Sequence, residues 1–228
     1  MGSRIVGIEE LRGEHPAVVA IDVMRAFTTA AWAFARGAVR IVLADSESEA
    51  LEVRRGHPDW PTLKDGPPSP GFDLVNSPAL MAGQDLAGRT LIQTTTSGTV
   101  GARKAVGTPL LLCASFVVAG ATIRLLRSRG ITDVTYVATG DDGCADEDRA
   151  CAEYIRQCLA VGDTDVTPYL HRARASKAAA ELTEGVRRGY RGIHRHDVDH
   201  CLEADRFGFA MAASMEGSLL VMRPVEVG

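Results

Sequence analysis

Short, wholly apolar runs separated by helix-length segments constrain this chain more than any other feature. "AVVAIDV" (Ala17 to Val23), "VRIVLA" (Val39 to Ala44), "TLIQT" (Thr90 to Thr94), "PLLLCAS" (Pro109 to Ser115), "DVTYVAT" (Asp133 to Thr139) and "SLLVMRP" (Ser218 to Pro224) are short and largely β-branched, so they read as buried strands. Between them lie "TTAAWAFARGA", then "SESEALEVRR" with Ser46 and Glu49 at capping-box spacing, then "FVVAGATIRLLRSRG", which closes on a Gly suited to a helix C-cap. The alternation predicts an α/β fold with a mixed, largely parallel sheet. Crossover helices must bury their apolar stripes against both faces of such a sheet, which predicts a three-layer α/β/α arrangement. With 228 residues, 46% of them hydrophobic, the chain can fill one sizeable core, and a single domain over 1–228 is expected.

Two regions interrupt the rhythm. Six prolines fall between Gly56 and Gly83, which predicts a long ordered loop at 56–83 rather than regular structure throughout. The stretch 145–206 has almost no strand signal and reads as a helix-rich flank of several consecutive helices before the last strand. The formal charge of -4 comes with thinly scattered Lys and Arg, which argues against a nucleic-acid partner. No apolar run approaches the ~20 residues a membrane span needs, and Met1 to Glu10 lacks the layout of a signal peptide, so a cytoplasmic protein without a membrane partner is expected. Five cysteines without CxxC spacing fit reduced thiols. Cys144, Cys151 and Cys158 recur every seven residues, as one packed helical face would require.

Ligands of open α/β sheets collect beyond the carboxyl ends of strands, which selects four places. In "VVAIDVMRAFTTA", Asp22 ends a strand, with Arg25 and Thr28 close behind; a carboxylate there suits a metal and a guanidinium suits phosphate, sulfonate or carboxylate, although a helix cap paired locally with Arg25 uses the same letters. In "LIQTTTSGTVGARKA", Thr94, Thr95, Thr96, Ser97 and Thr99 surround Gly98. One cap needs one hydroxyl and this segment supplies five, so it is a candidate anion-binding loop; it has neither Walker nor GxGxxG spacing. In "ATGDDGCADEDRACAEYI", Asp141, Asp142, Asp146, Glu147 and Asp148 offer hard oxygen ligands suited to Mg²⁺, or the solvated start of an acidic helix. In "HRHDVDHCLEADRF", His194, His196 and His200 invite a zinc reading but lack the usual ligand spacing, while Asp197, Cys201 and Asp205 recur every four residues on one helical face.

Taken together, "IDVMRAFTTA", "GFDLVNSP", "TTTSGT", "DEDRACAEYI" and "DVDHCLEAD", in this order and nearly end to end, make the chain resemble the 2-phosphosulfolactate phosphatase family, Mg²⁺-using α/β enzymes of coenzyme M biosynthesis. The resemblance implies a site lined by Asp22, Arg25, Asn76, Ser77, Thr95, Thr96, Ser97, Glu147, Asp148 and Asp205. It implies an Mg²⁺-dependent phosphatase acting on the phosphate monoester of a small hydroxy acid, 2-phosphosulfolactate or a related compound. In that reading Asp22, with Glu147 or Asp148, holds the metal; Arg25 and Thr94 to Gly98 clamp the phosphoryl group; Asn76 and Ser77 orient the acid. Direct attack by water and a covalent phosphoenzyme both stay open. The implied partner is a small phosphorylated or sulfonated acid, and the sequence allows a homo-oligomer. Two departures stand out: the family's Gly-Gly-Glu-Arg stretch before GFDL reads "PTLKDGPPSPGFDL" here, and the usual Asn of TTTNGT is Ser97. The alternative is therefore a catalytically altered homologue that binds a small anionic acid.

Overall fold

A computed structural model describes residues 2–227. Among the described residues ten strands form one sheet: β1 (Arg4–Gly7), β2 (Ala17–Ile21), β3 (Arg40–Ala44), β4 (Thr62–Lys64), β5 (Leu74–Val75), β6 (Thr90–Thr94), β7 (Leu110–Ala114), β8 (Thr135–Ala138), β9 (Phe209–Glu216) and β10 (Leu219–Glu226). Their order is β1-β8-β2-β7-β9-β10-β3-β6-β4-β5. All six expected strands are present. Four were not expected: β1, the very short β4 and β5 inside the Pro-rich segment, and β9, so the helix-rich flank leads into a hairpin rather than one last strand.

Neighbours within β1-β8-β2-β7 and within β3-β6-β4-β5 are parallel. The β9–β10 hairpin joins these blocks through antiparallel pairings with β7 and β3. Gly217, at φ +62, takes the first position of its two-residue turn, where a left-handed backbone matches the strand twist. The two blocks therefore run in opposite directions, with β2 and β6 five positions apart, roughly 24 Å along a flat sheet. Their carboxyl ends nevertheless meet: Gln93 Nε2 donates to the Ala26 carbonyl at 3.0 Å. The sheet must curl to allow this, and about 20–25° of twist per strand, summed over five steps, turns the opposed ends toward one another.

The first helix, α1 (Ala26–Ala35), follows β2, and nine of its ten residues are buried. A helix apolar on every side belongs in a core, and Ala26, Ala30, Ala31 and Ala33 let neighbours approach closely. Phe27, fully buried, contributes on the order of 1.5–3 kcal/mol. In α2 (Glu47–Gly56), Ser46 accepts from the Glu49 amide at 3.2 Å, as the capping-box spacing predicts. Two short helices, α3 (Pro78–Met81) and α4 (Gly98–Lys104), flank β6. The next, α5 (Ala119–Ser128), ends at Gly130 (φ +64), with Ile131 N–H bonded back to the Leu126 carbonyl. The helix-rich flank comprises α6 (Asp146–Val161), α7 (Thr167–Arg174), α8 (Lys177–Arg187) and α9 (Asp197–Cys201). Cys151 and Cys158 are buried on α6, but Cys144 is exposed and precedes the helix, so the expected cysteine face has two members. Among the described residues, no helix is long and apolar enough to cross a membrane.

Candidate active site

Asp22 is the first residue beyond β2 and is only 8% exposed. Its Oδ1 accepts the Ala26 amide at 2.9 Å, capping α1, and the Thr139 hydroxyl lies 3.4 Å from Oδ2. Asp148, in the first turn of α6, accepts the Val23 amide on Oδ1 (2.8 Å) and the Gly140 and Thr139 amides on Oδ2 (2.9 and 3.2 Å). One carboxylate thus ties α6 to the ends of β2 and β8. Beside it Glu147 is also buried. Burial raises all three acids. Asp22 is pushed from 3.8 up to about 7 by burial and by the charges of Asp65 and Glu147, against the opposing Ala26 hydrogen bond. Asp148 lies well above the usual range through burial and then the charges of Asp22 and Glu147; Glu147 is raised chiefly by burial. Among the described residues, no Lys or Arg forms a salt bridge with any of the three.

The hydroxyl-rich loop meets this cluster. A Cβ on Gly98 would lie 2.7 Å from Asp22 Oδ2 and 2.6 Å from the Ala26 Cβ, so only glycine admits the approach. Thr95 and Thr99 satisfy each other: each amide donates to the other's hydroxyl at 3.0 Å. That is the ordinary cap, and it uses two of the five hydroxyls. Thr96 spends its amide and hydroxyl on Asp65 Oδ2, at 2.7 and 3.0 Å. The hydroxyls of Thr94 and Ser97 and the amides of Ser97 and Gly98 make no hydrogen bond among the described residues.

Arg25 does not pair with Asp22. Its Nη1 donates to Asp197 Oδ2 at 2.8 Å and to the Gly192 carbonyl at 3.0 Å. Asp197, fully buried, also accepts the His194 amide (2.9 Å), the Ser77 hydroxyl (2.6 Å) and the Ala79 amide (3.2 Å). It fastens the helix-rich flank to the starts of α1 and α3. Gly192, at φ +84, lies against Gly66 and Pro67 so closely that a Cβ would overlap the Gly66 carbonyl, docking the same flank on the Pro-rich segment. Asn76 is held by Asp65, whose Oδ1 accepts from Nδ2 at 2.6 Å. The spacing of "DVDHC" and the loop position of Asp65 carried no sign of these long-range partners.

Arg25 and Asp65 open onto a cleft of about 660 Å³ whose far wall is α8 and the segment after it, including Lys177, Glu181, Arg188 and Tyr190. A hollow of about 730 Å³ lies at the opposite ends of β2 and β7, around His15 and Lys104, away from the carboxylates. Asp205 stands apart from the cluster: exposed, at φ +54, it accepts the Gly120 amide at the start of α5 and lines a separate groove with Arg124 and Tyr154. Asp141, Asp142 and Asp146 are exposed, and Asp146 pairs with Arg172. His194 and His196 lie with ring centroids 5.3 Å apart, while His200 packs edge-on against Trp32. Among the described residues, no three His, Cys, Asp or Glu side chains form a ready-made metal cage.

In this α/β fold, buried acids without a basic partner thus stand at a strand end beside amide and hydroxyl donors that the fold leaves unused. The family model for 2-phosphosulpholactate phosphatase matches residues 7–212, and the chain belongs to that family. Its relatives include probable 2-phosphosulfolactate phosphatases of Bacillus subtilis, 36% identical over 60% of this chain and 61% of the relative, and of Deinococcus radiodurans, 36% identical over 64% and 63%. That of Symbiobacterium thermophilum is 37% identical over 69% of each chain. The first two matches thus span under two thirds of the relatives' own length.

Proposed function

We propose that the protein is a phosphatase, a phosphoric monoester hydrolase that uses Mg²⁺ to cleave the phosphate from a small hydroxy acid, 2-phosphosulfolactate or a related compound. The observation that carries this reading is the set of buried carboxylates without a basic partner, set against donors that the fold itself leaves unused. Family membership and the names of the relatives support it. The oxygen donors of Asp22 and Glu147 fit Mg²⁺, which commonly takes one or two carboxylates and completes its shell with water and phosphate oxygens, so a full protein cage is not required. Bound there, the ion would neutralise charge on the phosphoryl oxygens.

The amides of Ser97 and Gly98, the hydroxyls of Thr94 and Ser97, and the N–H groups of Arg25 that Asp197 and Gly192 leave unbound hold the phosphoryl group. Glu147 aligns the attacking water. Asp148, with three amides on its oxygens, holds the ends of β2 and β8 in place rather than reaching the guest. Asn76 and Ser77 serve the acid's end from behind, each bonded to a carboxylate, Asp65 and Asp197. Asp205 has a capping role in this reading. Replacement of the Gly-Gly-Glu-Arg stretch leaves the acid cluster in place, so hydrolysis rather than binding alone is the reading. Phosphate release is assayed with Mg²⁺ and with chelator, for wild type and Asp22→Asn. Loss of release in the variant and under chelation is expected. Full activity in either refutes the metal assignment, and no release from any monoester refutes the phosphatase.

A further inference from the structure

The donors that would most naturally receive a second acidic group are already taken by a carboxylate of the chain itself. Asp65 Oδ2 receives the Thr96 amide and hydroxyl, and its Oδ1 receives the Asn76 amide nitrogen at 2.6 Å. Because a carboxylate only accepts, this contact fixes which end of the Asn76 side chain carries the nitrogen. The other end, Oδ1 of a residue 2% exposed, is buried without any partner. A buried acceptor left unmatched calls for a donor from elsewhere. Asp65 also lines the cleft beside Arg25 and Lys177. Asp65, backed by Asn76 and Thr96, therefore presents an acceptor carboxylate to the cleft.

We propose that Asp65 makes this chain select a phosphorylated hydroxy acid whose second arm ends in a hydrogen-bond donor, a hydroxyl or an ammonium, and reject one whose second arm ends in another anion. The inference rests on the phosphatase reading and narrows its substrate to the related compounds, leaving 2-phosphosulfolactate, with its anionic arm, outside. An anionic arm would face the Asp65 carboxylate at close range, whereas a donor arm pairs with it. Lys177, on the same cleft, still serves the acid's own carboxylate.

Three compounds that differ only in that arm test it: 2-phosphoglycerate (hydroxyl), its 3-amino counterpart (ammonium) and 2-phosphosulfolactate (sulfonate). The wild type is expected to favour at least one donor arm over the sulfonate by about tenfold or more in kcat/KM, and Asp65→Asn to erase most of that preference. Which donor arm wins distinguishes hydroxyl from ammonium. The corresponding unphosphorylated acids, titrated by calorimetry, report the same preference without turnover. If no phosphate is released but the binding preference and its loss in the variant hold, the phosphatase reading fails and the Asp65 assignment stands. A wild-type preference for the sulfonate, a preference unmoved by Asp65→Asn, or no binding of any of the three acids overturns it. Asp65→Ser replaces the first variant should that one lack a cooperative melt.

Discussion

Replacing Asp22 by Asn should make the protein more stable while removing the proposed phosphatase activity. The carboxyl of Asp22 is buried, and burial with the charges of Asp65 and Glu147 raises it from 3.8 to about 7. Between these values the folded chain holds a proton that the unfolded chain has released, so stability falls as pH rises through this window and stays low above it. Ionising Asp22 above pH 7 costs the fold at most about 4 kcal/mol, three pH decades at 1.36 kcal/mol each. Asparagine imitates the protonated acid: its Oδ1 keeps the Ala26 amide, and its Nδ2 faces the Thr139 hydroxyl, which can accept. Thermal melts in chelator should therefore place Asp22→Asn above the wild type at pH 8, by up to roughly 8–16 °C in Tm for a chain of this length. The gap should narrow through pH 6 and close near pH 4. With the metal site proposed above, added Mg²⁺ should raise the wild type and not the variant. A variant no more stable than wild type at pH 8, or a gap indifferent to pH, refutes the account of a strained, uncompensated acid.

Asp197→Ala strands the Arg25 guanidinium in a buried site and should cost about 3–5 kcal/mol by urea unfolding, and the double change Arg25→Met with Asp197→Leu should recover only the part due to the stranded charge, because the Ser77 hydroxyl and the Ala79 and His194 amides still lose their acceptor. Gly98→Ala drives a methyl against Asp22 and Ala26 and should lose about 1–3 kcal/mol along with phosphate release. The control Gly83→Ala, whose nearest neighbour would be the Leu80 carbonyl at 3.6 Å, should keep full activity. Of the five thiols, only Cys144 is exposed, so the native protein should titrate one thiol with a disulfide reagent and five after denaturation.

What could be read in the sequence follows the range of the interactions involved. Asp22 was legible because its position depends on one strand ending and one helix starting, both local events. The two hydroxyls of the Thr95–Thr99 cap belong to the same class. Asp197 and Asp65 were not legible as anchors: Arg25 and Asp197 are 172 residues apart, and Asp65 reaches Thr96 across 31. Asp205 shows the converse. Its four-residue spacing from Cys201 suggested a shared helical face, but α9 stops at Cys201 and the chain enters a left-handed turn at Asp205.

The same distinction governs how the site exists at all. Hydrophobic runs specify that β2 and β6 are strands, but nothing in either run says that their ends meet. That depends on β9, whose "FAMAASME" carries little β-branching and gave no strand signal, yet whose hairpin with β10 reverses the direction of the second parallel block. In a flat sheet the reversal would send the ends of β2 and β6 to opposite edges. Only with curl and accumulated twist do they converge, and glycine at position 98 is then required because the approach leaves no room for a Cβ. The hydroxyl loop and the acid cluster are therefore one site by virtue of the least conspicuous strand in the chain. It also follows that substitutions in β9 that loosen its pairing with β7, at Leu111 to Ala213, should disturb the approach of Gly98 to Asp22 without touching either residue.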